Sequence, residues 1–171
     1  PARRAVLTAN METALNAVWD SGAGPGDRIL VVGAGAVGQM IAFITAGLPG
    51  ASVSVADPDP GKADAVAILG AEFIGTEPSR DDHDIVFHTS ASADGLNLAI
   101  GAAGREATVV EVSWYGDRTV DAALGGRFHS HRLRLISTQV GAIPAARAAR
   151  WDYRRRLQTA LGLLCDDRLD C

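Results

Sequence analysis

Apolar positions along the chain switch between a helical and a strand-like period. Over residues 10–19, Met11, Ala14, Leu15 and Val18 share one helical face, and Asn10 is placed to cap the first turn. The run Ser21-Gly22-Ala23-Gly24-Pro25-Gly26 stops that helix. Arg28-Ile29-Leu30-Val31-Val32 is a continuous apolar run of strand length, the pattern of a strand covered on both faces. Val37, Met40, Ile41 and Ile44 mark a second helix, ended near Gly47 and Pro49, and Ala51 to Ala56 reads as a second strand. Lys62 to Leu69 makes a third helix with Gly70 as its terminator.

Beyond residue 71 the pattern loosens. Glu72-Phe73-Ile74, Ile85-Val86-Phe87-His88, Ala107 to Val112 and Leu133 to Thr138 read as strands, and Gly95 to Ala103 as a helix. A long terminal helix is expected over 145–164, with Tyr153, Leu157, Ala160, Leu161 and Leu164 on one face. Strands alternating with helices predict a single α/β domain: a doubly wound parallel sheet with right-handed crossovers, sandwiched between two helical layers.

Composition narrows the function. The 171 residues are 47% hydrophobic and 21% charged, ordinary for a folded chain, with a net charge of −4. No apolar run approaches the ~20 residues of a membrane span. The acidic balance does not advertise nucleic acid, and the arginines at 147, 150, 154, 155 and 156 read as a solvated helix face with Asp152 as an acidic neighbour. Cys165 and Cys171 fit a reducing cytoplasm better than a disulfide framework. With 19 glycines and 5% aromatics, Trp19, Trp114 and Trp151 stand as isolated packing points.

The chemistry concentrates in Gly33-Ala34-Gly35-Ala36-Val37-Gly38, a Gly-x-Gly-x-x-Gly between an apolar strand and an amphipathic helix. Gly33 allows the tight turn, Gly35 lets a pyrophosphate approach the backbone, and Gly38 lets the helix pack on the sheet. The helix N-terminus offers free N–H groups and a positive dipole end to phosphates. Asp57 follows Gly38 by nineteen positions, near the spacing of an acid that binds adenosine ribose hydroxyls. Such a carboxylate repels a 2′-phosphate, which favours NAD over NADP. The other reading of Asp57 is a cap for the Asp-Pro turn.

These residues, with Glu12-Thr13-Ala14-Leu15-Asn16-Ala17-Val18, Gly26-Asp27-Arg28, Lys62 and Leu69-Gly70-Ala71, resemble the medium-chain dehydrogenase/reductase superfamily. The chain is similar to the cofactor-binding, Rossmann-like domain of zinc-type alcohol, polyol and threonine dehydrogenases over nearly its whole length. The resemblance implies that Gly33, Gly35, Ala36, Val37 and Gly38 hold the pyrophosphate, with Asp57 and Lys62 at the adenosine ribose. It also implies that Thr13 faces the nicotinamide, and that backbone around Val112-Ser113 and Thr138-Gln139 holds its carboxamide. Residues 1–171 are then one dinucleotide-binding domain, with 1–25 as leading helix and linker and the catalytic domain of the parent absent. Any zinc would belong to that absent domain, and Ala9 stands where many members place a zinc ligand.

The remaining polar residues leave alternatives open. Histidines 83, 88, 129 and 131 make no ligand set by spacing and read as surface or capping residues, so no metal site is expected. Glu111, inside an apolar strand, either serves near the nicotinamide or pairs with a neighbouring loop. Trp114 and Tyr115 either line the same crevice or pack under a loop. The segment Thr119–Thr138, with Leu133-Arg134-Leu135-Ile136, is a candidate sheet edge for a homodimer, although Arg127, Arg132 and Arg134 equally suit a guarded edge and Ile136 reads as internal to the sheet. The expected function is hydride transfer between nicotinamide and a small alcohol or carbonyl compound. A nucleotide-sensing regulatory module is the alternative from another class, and an S-adenosylmethionine-dependent methyltransferase ranks after it.

Overall fold

The computed structural model describes residues 2–78 and 80–169; Cys171 lies outside them. Six strands form one sheet: β1 (Arg28–Val32), β2 (Ser52–Ala56), β3 (Glu72–Phe73), β4 (His83–His88), β5 (Ala103–Glu111) and β6 (Arg134–Ser137). Their order is β3-β2-β1-β4-β5-β6, and every pairing is parallel. This is the doubly wound sheet that the alternating pattern predicts. The direction of winding reverses between β1 and β4, the position at which such sheets open a crevice beyond their strand ends. The register brings the C-terminal residues Ala56, Val32, His88, Glu111 and Ser137 into one row across five strands.

Alternate strand residues feed two cores. Ile29, Val31, Val55 and Phe87 pack beneath α1 (Thr8–Ser21), α2 (Ala36–Ala46), α3 (Ala63–Ile68) and α7 (Tyr153–Leu163). Leu30, Val32, Val86 and Val109 pack against α4 (Ala93–Ala102) on the opposite face, with Leu133 closing the far side. Short helices α5 (Arg127–Ser130) and α6 (Ala145–Ala148) complete the chain. Both faces of β1 are buried, which is why its sequence reads as an unbroken apolar run.

Several expectations are corrected. α1 starts at Thr8 behind Leu7, so Asn10 lies inside the helix and caps nothing. Its C-terminus does stop where expected, at Gly22 with φ +73. β5 begins four residues early, at Ala103, because a bulge near His83 and the left-handed Glu106 (φ +61) let the chain re-enter the ladder. The terminal helix is two helices, since the Asp152 side chain accepts the Arg155 N–H and starts α7 afresh. Its buried face is Arg156, Ala160 and Leu164, whereas Tyr153, Leu157 and Leu161 are exposed.

Arg156 is not a solvated charge. It donates to Glu12 Oε1 at 3.0 Å and to the side-chain Oδ1 of Asn16 at 2.8 Å, tying α7 to α1. Trp19 and Trp151 are not isolated, their ring centroids being 4.6 Å apart, while Trp114 is exposed. His83 and His88 are buried rather than superficial. β6 is the edge of the sheet, so Ile136 is not internal to it. No helix among the described residues is long and apolar enough to cross a membrane.

Candidate functional site

The turn from β1 into α2 is built around its glycines. Gly33 has φ +107, and its N–H donates to the Ala56 carbonyl at 2.8 Å. A side chain on Gly33 would stand 2.7 Å from Thr89 Oγ1. Gly38 is more constrained, because a Cβ there would overlap the Gly33 carbonyl oxygen. Gly35 differs from both. Nothing lies within 4 Å of the Cβ position at Gly35, which is extended and caps α2. Two of the glycines are thus demanded by packing and the third opens onto empty space.

That space is a cavity of about 760 Å³ at the crevice, lined by Gly33, Gly35, Asp57, Ser90, Asp94 and Leu98 among others. Asp57 follows β2, where Oδ2 accepts the Ala34 N–H at 2.7 Å and Oδ1 accepts the Asp59 N–H at 2.9 Å. Its carboxylate therefore ties the glycine turn to the Asp-Pro turn and also borders the cavity. Thr89 Oγ1 reaches the carbonyls of Val32 and Gly33 at 3.0 and 2.9 Å, securing the turn from β4.

The other expected site residues are spread more widely. Ala36 and Val37 open α2, and Lys62 ends a 3₁₀ turn capped by Asp59. The Thr13 hydroxyl donates to the Ala9 carbonyl at 3.0 Å within α1. Val112 and Ser113 follow β5, where Ser113 Oγ accepts the Ala91 N–H at 3.0 Å. Thr138 donates to Asp20 at 2.6 Å, and the Gln139 carbonyl accepts from Asn16 at 3.2 Å, which ties the end of β6 to α1. Of the expected set, Gly33, Gly35 and Asp57 line the cavity together.

Sequence reasoning missed a polar network beside it. His88 is fully buried at the end of β4, with Nδ1 2.8 Å from Glu111 Oε2 and Nε2 2.8 Å from Ser90 Oγ. Ser90 Oγ in turn lies 2.9 Å from Ser92 Oγ. Glu111 also accepts the Ser113 N–H at 2.8 Å and the Tyr115 hydroxyl at 3.1 Å. Of its two sequence readings, Glu111 shows the pairing with neighbouring residues. Burial raises its carboxyl pKa, but the hydrogen bonds it accepts from His88 and from the Ser113 N–H outweigh that and hold it below the ordinary value. Burial and the adjacent Glu111 charge push the Tyr115 hydroxyl up to about 12. The available signal was polar His88, Ser90 and Ser92 directly after an apolar strand.

Among the described residues, no three His, Cys, Asp or Glu side chains group closely enough to hold a metal ion.

Comparisons with known proteins agree with this architecture. No protein-family profile matches the chain. The D-guloside 3-dehydrogenases of Escherichia coli K12 and Shigella flexneri are each 28% identical to it over 182 aligned positions, covering 99% of the chain. The chain spans about half the length of these curated relatives, 52%. An alcohol dehydrogenase from Thermus sp. ATN1 superposes with a TM-score of 0.74 at 22% identity, over 96% of this chain and 48% of that one. A short chain alcohol dehydrogenase from E. coli CFT073, solved with NADH, does so with a TM-score of 0.70 at 18% identity, over 92% and 48%. The likeness to dehydrogenases is thereby borne out, and the match covers about half of each such protein.

Proposed function

We propose that this chain is the NAD-binding domain of an oxidoreductase that transfers hydride between nicotinamide and a small alcohol or carbonyl substrate. The observation that carries the reading is Gly35, the one glycine of the turn whose missing side chain opens onto the 760 Å³ cavity rather than onto protein. An open position at a helix N-terminus beside an acid is what the approach of a phosphate to the turn requires. Nicotinamide, when bound, supplies the hydride acceptor or donor.

The chain's own residues would bind and orient. Gly33, Gly35, Ala36, Val37 and Gly38 present the turn and the first N–H groups of α2 to the pyrophosphate. Asp57 accepts hydrogen bonds from the adenosine ribose with lone pairs left over from Ala34 and Asp59, with Lys62 nearby, and favours NAD over NADP. Thr13, Val112, Ser113, Thr138 and Gln139 are assigned to the nicotinamide end. Proton transfer to and from substrate, and any zinc, we assign to a catalytic domain outside these residues, so this chain alone binds NAD with little turnover. The uncovered β6 edge supports a homodimer, and the two thiols support work in the cytoplasm.

Titration with NADH and NADPH by fluorescence tests the reading. Tight NADH binding with weak NADPH binding supports it, and saturable binding of neither overturns it. S-adenosylmethionine in a third titration decides the methyltransferase alternative.

A further inference from the structure

Four side chains govern the cavity wall next to α4. Ser90 and Ser92 face the cavity, while His88 and Glu111 lie behind them. Ala91 stands between the two serines at φ +52, a left-handed turn held by the Ser113 Oγ contact. Gly95 closes over the group, and a Cβ there would overlap Ser90 Oγ and stand 2.9 Å from both His88 Nε2 and Ser92 Oγ. The left-handed Ala91 and the bare Gly95 therefore serve one arrangement of hydroxyls.

Proton positions follow from the partners. Ionised Glu111 only accepts, so His88 Nδ1 carries a proton toward it. In the neutral imidazole Nε2 then has a lone pair and takes the Ser90 hydroxyl proton. Ser92 Oγ already accepts the Gly95 N–H at 3.0 Å, and its own proton goes to Ser90 Oγ. Thr89 likewise spends its proton on the carbonyls of Val32 and Gly33. All three hydroxyls turn lone pairs to the cavity, alongside the carboxylates of Asp57 and Asp94.

We propose that the Glu111–His88 pair fixes Ser90 and Ser92 as hydrogen-bond acceptors, so that this wall selects a nucleoside group that donates. Two groups of an adenine dinucleotide share that chemistry, the exocyclic amine of adenine and the ribose hydroxyls. His88 and Glu111 are positioning residues, and Ser90 is the specificity residue they orient. The inference rests on the dinucleotide reading of the cavity.

The pair can be reversed without removing it. In Glu111→Gln the amide oxygen takes the place of Oε1, which accepts the Ser113 N–H, and the amide nitrogen takes the place of Oε2. That nitrogen donates to His88 Nδ1, which moves the imidazole proton to Nε2. Nε2–H then donates to Ser90, and the Ser90 hydroxyl proton is released toward the cavity.

The experiment measures dissociation constants of NADH, its hypoxanthine analogue and analogues lacking the adenosine 2′- or 3′-hydroxyl, using the wild-type chain, Glu111→Gln, Ser90→Ala and Ser90→Thr. In wild type, NADH should bind about tenfold more tightly than the one analogue that lacks the recognised donor. Loss with the hypoxanthine analogue identifies the amine, and loss with a deoxy analogue identifies a hydroxyl. Glu111→Gln and Ser90→Ala should each bring that ratio close to one, and Ser90→Thr should restore it. A Glu111→Gln chain that keeps the wild-type ratio, or that weakens every ligand equally, overturns the proposal. Wild type that binds NADH but shows no preference against any analogue overturns it too and leaves the dinucleotide reading standing. Absence of NADH binding to wild type removes both.

Discussion

Replacing Gly35 by valine separates ligand binding from folding. Nothing occupies the volume within 4 Å of a Cβ at this residue, so the new side chain meets no protein atom there. Its φ of −73° and ψ of −178° are extended backbone that valine adopts readily. Valine is a poorer helix N-cap than glycine, at a cost of about 1 kcal/mol. Reduced freedom of the unfolded chain offsets ~0.4–1 kcal/mol of that. The net change should lie within about 1 kcal/mol, a Tm shift of no more than ~4 °C for a domain of this size. Binding should respond differently. Two methyl groups would project into the space proposed for the pyrophosphate, and NADH affinity should then fall at least about a hundredfold, or ~2.7 kcal/mol. Gly38→Ala is the contrasting control. Its Cβ overlaps the Gly33 carbonyl oxygen, a backbone atom that moves only with the whole turn, so about 3 kcal/mol of stability should be lost. Calorimetric titration with NADH beside thermal unfolding reads both quantities. Unchanged NADH affinity in Gly35→Val would refute the assignment of the turn, and loss of its cooperative unfolding would refute the claim that the position is open.

Asp57→Ala should lower the preference for NADH over NADPH at least tenfold in fluorescence titration, and should cost about 2 kcal/mol in denaturant unfolding because the Ala34 and Asp59 N–H groups lose a charged acceptor. Arg156→Ala should destabilise by about 3 kcal/mol or more, since Glu12 and the Asn16 side-chain Oδ1 lose a buried partner; a Tm drop under ~2 °C would refute it. Burial holds the His83 imidazole below its ordinary pKa, so the unfolded chain takes up the proton first on acidification. Stability from this residue should be complete above about pH 6.5 and decline as pH falls below that until folded His83 also protonates, a slope that His83→Gln should remove from urea titrations. Light scattering at micromolar concentration should give twice the chain mass if β6 edges pair, and a monomeric mass unchanged by NADH would count against the homodimer.

The parts legible in the sequence are those in which one residue meets one local requirement. Ile29 to Val32 had to be apolar because both faces of β1 are covered, and that shows without any partner being known. Gly22, Gly33 and Gly70 sit at positive φ, a local demand that spacing exposes well. Legibility fails where a residue's role depends on distant chain. Tyr153, Leu157 and Leu161 form an apolar series at helical spacing, but α7 turns a different face inward because Arg156 meets Glu12 and Asn16 of α1. A buried arginine inside a basic run has no local mark.

The polar wall of the cavity was hidden for the same reason. His88 and Glu111 are twenty-three residues apart and become partners only through the β4–β5 register, which sets them side by side in the row of strand ends. Each alone reads as a polar residue in an apolar strand, a cost without a visible return. Together they satisfy one another, and the requirement passes to Gly95, whose lack of a side chain admits Ser90 and Ser92. That glycine has no positive φ and belongs to no recognised spacing. Its necessity comes wholly from the histidine and serines it covers, so a Gly95→Ala substitution should disturb the wall while leaving the glycine turn of β1 and α2 in place.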